Sequence, residues 1–205
     1  MKHPLLTFAL PVAALALLGG CATPAYVSPV EVTRFVDQAG TSLGQGTIRV
    51  VAAPGLDSAS VEYGIYADAV RAELQQLGYR VVTQEADQVA QVSLEQMVTA
   101  ADGRRGTGVG VGGGASTGTY GSGVGVGVGV DLTRLLSGRP AERIERQMAV
   151  SIRSASGVRN LWEGRASMTA SANSDYGASP AAAARMADAL FSGFPGQSGE
   201  TISVE

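Results

Sequence analysis

TIRVVAAPGLDSASVEYGIYADAVRAELQQLGYRVVT, residues 47–83, is the stretch whose reading decides the fold. Thr47 to Ala53 is a β-branched, apolar run closed by Pro54-Gly55, which predicts a strand and a turn. Tyr63, Tyr66, Val70, Leu74 and Leu77 then recur at steps of three and four, lining one side of a helix. Glu62, Asp68, Arg71, Glu73 and Gln75 fall largely on the other side. Gly78 stands where a left-handed C-terminal cap belongs, and a second strand, Tyr79 to Thr83, starts at once.

Moving outward, the period changes to two. Ala90, Val92, Leu94, Val98 and Ala100 alternate with Gln91, Ser93, Glu95 and Thr99, the pattern of a strand with one wet face. The alternation returns as Val124, Val126, Val128, Val130 and Leu132 set against Gly123, Gly125, Gly127 and Gly129, which predicts a long glycine-rich hairpin. Two further strands are expected around Met148–Ile152 and Leu161–Met168, joined through Ser156-Gly157. Ser179-Pro180 then opens a helix whose inward stripe is Ala183, Met186, Leu190 and Phe191, ended by Gly193. The expected class is α+β: a two-layer sandwich with a mostly antiparallel sheet of five to six strands and two helices on one face.

At the front, Lys2 precedes an apolar stretch from Leu5 to Leu18 that Pro11 interrupts. It falls short of the roughly 20 residues that a spanning helix needs and reads as an export signal. Leu18-Gly19-Gly20-Cys21 resembles the bacterial lipobox, which implies cleavage before Cys21 and acylation of its thiol. Several acyl chains, at about 0.8 kcal/mol per buried methylene, hold a protein on a bilayer. Cys21 is the only cysteine of the 205 residues. Ala22 points to the outer membrane, with the domain facing the periplasm. The expected organisation is a signal peptide over 1–20, a proline-bearing tether over 21–45, and a domain over 46–195 with its glycine-rich hairpin at 103–129. A loose tail at 196–205 completes it.

Composition removes several function classes. The formal charge is −3, so nothing marks the chain for nucleic acid. Gly108-Val109-Gly110-Val111-Gly112-Gly113 matches the dinucleotide spacing. The expected strand before it and helix after it are missing, and no nucleotide is expected. Once the signal is removed the chain has no histidine, and its one thiol carries lipid. Ser-His-Asp and Cys-His catalysis, and metal sites built on His or Cys, are therefore not expected, and neither is a cofactor. Glu163 beside Trp162 could serve as a glycosidase acid with an aromatic sugar platform, but that chemistry needs a second, positioned carboxylate. Otherwise Trp162 anchors the core and Glu163 faces water. Arg104-Arg105 and the group Arg139, Glu142, Arg143, Glu145 and Arg146 read as solvated charge. They could equally meet anionic head groups or an acidic partner.

Taken in order, Cys21, Leu77-Gly78-Tyr79, the glycine-rich insertion, Leu161-Trp162-Glu163-Gly164-Arg165-Ala166, Ala189-Leu190-Phe191 and Phe194-Pro195 form a pattern. It resembles the bacterial lipoprotein family catalogued as domain of unknown function 4136. The resemblance implies an envelope location and brings no catalytic residues. The expected function is a non-catalytic, membrane-anchored module binding another envelope protein or polymer through its sheet edge or hairpin. A carboxylate-dependent enzyme acting on cell-wall glycan and a self-assembling surface protein are the alternatives.

Overall fold

The computed structural model describes residues 23–37, 43–99, 105–106, 141–157 and 159–205. Thr23 and Pro24 apart, they belong to one compact unit, Ala25–Gly125 with Ala141–Glu205, and all that follows concerns that unit. The α+β class holds. Among the described residues β1 is Val30–Val36, β2 Thr47–Ala52, α1 Val61–Gln76, β3 Arg80–Val81, β4 Gln88–Thr99 and β5 Arg105–Gly106. They are followed by β6 Arg143–Ser154, β7 Asn160–Ser171, α2 Ser179–Phe191 and β8 Glu200–Val204.

The sheet is larger than the sequence suggests, and it is mixed. Seven strands run in the order β3-β2-β4-β6-β7-β1-β8, and the short β5 pairs with the end of β4. β2 is parallel to both β3 and β4, and the remaining pairs are antiparallel. The parallel part follows from α1, because a helix between two strands returns the chain to the end where it began. Asp87 secures the crossing from β3 to β4. Its carboxylate accepts from Thr47 N at 3.0 Å and from Thr47 Oγ1 at 2.6 Å, which ties the start of β4 to the start of β2. These bonds to the charged form hold the Asp87 carboxyl below its ordinary range.

Both ends of the chain correct the expected boundaries. Residues 21–45 are not simply a tether, because β1 lies within them, between β7 and β8 in the sheet. The segment ahead of β1 is bound as well, with Ser28 N donating to Thr169 O and Ser171 N to Tyr26 O. Residues 196–205 are not simply a loose tail, because β8 pairs with β1 from Val30↔Val204 to Arg34↔Glu200. In both segments alternation does build a strand. The Arg34 on the inward face of β1 breaks the apolar pattern that would have disclosed it. The expected partner of β4, around Val124–Leu132, lies outside the described residues, and β4 pairs along its whole length with β6.

The two helices cover one face of the sheet. Ser60 Oγ accepts from Tyr63 N and caps α1, while Gly78, at φ +102°, turns the chain out of it. Tyr63, Tyr66, Val70 and Leu74 are buried as their spacing predicts. α2 starts at Ser179 itself, with Ala178 at the cap position and no side-chain capping bond, and it buries Ala183, Met186, Leu190 and Phe191. Beneath the helices lie Val32, Val50, Val92, Val150, Ile152 and Trp162.

Candidate functional site

The opposite face carries no helix among the described residues. Residues in register share a face, and the register sets out its chemistry in rows across the strands. One row runs Val51, Gln91, Ser151, Glu163 and Phe35. The next runs Ser93, Ala149, Arg165, Thr33 and Thr201. Beyond the first row, Arg49, Val89 and Arg153 make another. Small hydroxyl and amide side chains thus occupy the middle, with charges of both signs around them.

A shallow groove of about 330 Å³ lies on this face, lined among others by Gln91, Gln147, Ser151, Arg153, Glu163 and Arg165. Arg165 donates to Glu163 Oε1 from Nε at 3.2 Å and from Nη2 at 2.8 Å, so that pair is internally neutral. Arg153 is different. Its Nε is buried without a hydrogen-bond partner, and it forms none of the ion pairs among the described residues. The register between β6 and β7 shifts at this point, from Ile152↔Trp162 to Arg153↔Asn160. The extra residue on β7 lets both Leu161 and Trp162 turn inward, and such bulges re-aim the side chains around them. At the other end of the row, Phe35 is 47% exposed. A second groove, of about 490 Å³, adjoins the first around Pro54, Leu56, Glu95, Met97 and Glu145.

The residues singled out from the sequence are distributed unevenly. Cys21, with Leu18, Gly19 and Gly20, lies outside the described residues. So does the glycine-rich stretch 103–129, except for the backbone of Arg105-Gly106, which pairs with Val98 and Thr99. Glu163 and Trp162 are parted by the sheet. Glu163 stands in the groove, whereas Trp162 is 1% exposed beneath α2 and cannot offer its ring to a sugar. Arg146 corrects the reading of a solvated cluster. It is 3% exposed, and it donates to Gln96 Oε1 and to the carbonyls of Tyr176 and Gly177. Arg143 lies over the Tyr26 ring. Phe35 and Arg153 were not legible as site residues. The alternation Val30, Val32, Val36 was the available signal for β1, and no local signal marks a bulge.

Among the described residues no group of three or more His, Cys, Asp or Glu could hold a metal ion. No described helix is long and apolar enough to cross a membrane. No family model matches the chain, and no curated protein does. Solved structures are similar at low identity. One is a PDZ domain protein from Parabacteroides distasonis, at 14% identity and a TM-score of 0.48, over 87% of this chain and 38% of that one. The chain therefore spans about two fifths of that protein. Two others are PelC dodecamers from Paraburkholderia phytofirmans, at 14% and 13% identity. Both have a TM-score of 0.43 and cover 80% of this chain and 95% of theirs.

Proposed function

We propose that the chain is a lipid-anchored protein of the cell envelope, held through Cys21 at the outer membrane and facing the periplasm. Its domain is a non-catalytic module that binds another envelope component. The observation that supports the module is the open sheet face, where a polar groove lies beside Arg153, a half-buried arginine that forms none of the ion pairs among the described residues. The lipobox-like Leu18-Gly19-Gly20-Cys21 supports the anchor, and with it the resemblance to domain of unknown function 4136.

Two measurements test the two halves. Cells fed a labelled fatty acid should label the wild type and leave Cys21→Ser unlabelled, and equal absence of label from both would end the anchor reading. A photo-crosslinking residue placed at Ser151 should capture a reproducible envelope component, whereas one at the exposed Gln75 of α1 should not. Capture that is the same from both positions removes the open face from the account.

Glu95 lines the same groove as Glu163, which keeps a carboxylate-dependent action on cell-wall glycan as the second reading. Arg165 already engages the Glu163 carboxylate, and this weighs against it. Release of peptidoglycan fragments that disappears in Glu163→Gln would select the enzyme.

A further inference from the structure

The binding-module reading leaves the ligand open, and the chemistry of the open face narrows it. The backbone groups of the row Gln91, Ser151, Glu163 and Phe35 lie in strands paired on both sides. A peptide cannot add to them as a strand, so recognition there runs through side chains. The side chains offered are one amide, one hydroxyl, one carboxylate already neutralised by Arg165, and one half-exposed aromatic ring. Amides, hydroxyls and carboxylates pair with the hydroxyls of a sugar, and a flat ring offers an apolar face to a pyranose. Strands lie about 4.8 Å apart, so Ser151 and Phe35 stand roughly 10 Å apart across β7, a span for an oligosaccharide. Beside this row lie Arg153 and Arg49, which share the next register row and form none of the ion pairs among the described residues. Glu95, also outside those pairs, lies two rows from Gln91 on the other side. No protein group among the described residues pairs with the Arg153 guanidinium, which leaves its charge available to an anion from outside the fold. The planar guanidinium matches a carboxylate in two parallel hydrogen bonds.

We propose that the open sheet face binds an acidic polysaccharide: Arg153 takes a carboxylate of the chain, Gln91, Ser151 and Glu163 take its hydroxyls, and the Phe35 ring supports a pyranose. The inference rests on the binding-module reading and gives that module its ligand class.

The test is titration calorimetry of the full mature chain in detergent, using a galacturonic acid hexamer with maltohexaose as the neutral comparison. The acidic oligomer should bind saturably and at least about tenfold more tightly than the neutral one. Arg153→Gln should remove that preference. Phe35→Ala should weaken both oligomers. Should Arg153→Gln lower the thermal midpoint, Ser151→Glu serves in its place, since a carboxylate in the row repels the acidic oligomer alone. Equal affinity for the two oligomers, or undiminished acidic binding by the Arg153 and Ser151 variants, overturns the inference. Failure of both oligomers together with specific capture from Ser151 in cells also overturns it and leaves the module reading intact. Failure of the oligomers and of capture removes both.

Discussion

Trp162 shows how much one residue can organise here. Its ring stacks on Phe191 with centroids 5.3 Å apart and meets Phe194 at 5.2 Å. Its Nε1 donates to Pro195 O at 2.9 Å, which satisfies the one polar atom on an otherwise apolar side chain. The arrangement depends on Gly164, two residues along the strand on the same face. A Cβ there would strike Cη2 of Trp162 and come within 2.8 Å of Leu190 Cδ1. The Leu-Trp-x-Gly-x-Ala pattern is thus a packing device: the absent side chain makes room for the indole under α2. Gly164→Ala should cost about 1–3 kcal/mol through overpacking, read as a lowered midpoint in urea unfolding. A stability within 0.3 kcal/mol of the wild type, roughly the scatter of such measurements, would show that the ring can move aside.

At the scale of elements, the informative junction is the C-terminal end of α2. A helix leaves its last carbonyls without partners, and it carries partial negative charge there. Arg34 of β1 supplies what is missing. Its Nε donates to Leu190 O at 3.2 Å and its Nη2 to Ala189 O at 3.1 Å, while its Nη1 lies 4.0 Å from Glu200 of β8. One side chain therefore joins a helix end to two strands. Burial lowers the Arg34 pKa from its ordinary value, and Glu200 works against that shift. Arg34→Met keeps much of the volume and leaves the carbonyls and the carboxylate without their donor. It should destabilise the protein by roughly 2–4 kcal/mol, and amide exchange should quicken first at the α2 terminus and along β8. Unchanged exchange in β8 would mean that its pairing with β1 needs no help from this contact.

For the molecule as a whole, the helix layer decides how stability depends on pH. Tyr66 on α1 lies under the sheet, and desolvation pushes its phenol up to about 12, partly offset by Arg146. Tyr63 and Tyr79 are raised for the same first cause. An unfolded tyrosine ionises near pH 10, so between about 10 and 12 the unfolded chain sheds protons that the folded one retains. Stability from these buried phenols is complete below pH 10 and declines as pH rises through the folded values. Unfolding curves at pH 8 and pH 11.5 should therefore diverge strongly for the wild type. The gap should shrink by about 2 kcal/mol in Tyr66→Phe. A gap of the same size in the variant would assign the alkaline loss to other groups.

Period and punctuation along the chain determined the two helices, their inward stripes, the turn at Gly78 and the α+β class, because each of these depends on residues within a few positions of one another. Only the tertiary structure decided the rest. β1 and β8 pair across residues 30–34 and 200–204, and no short window of sequence contains both. Arg146 reads as surface charge until distant carbonyls are seen to receive it, and Arg34 lies within the expected tether until the end of α2 is seen to need it. The open face, likewise, exists only once five strands from separate parts of the chain lie in register. Helical periodicity is a local property, whereas strand order and the burial of charge are settled by partners that the sequence keeps far apart.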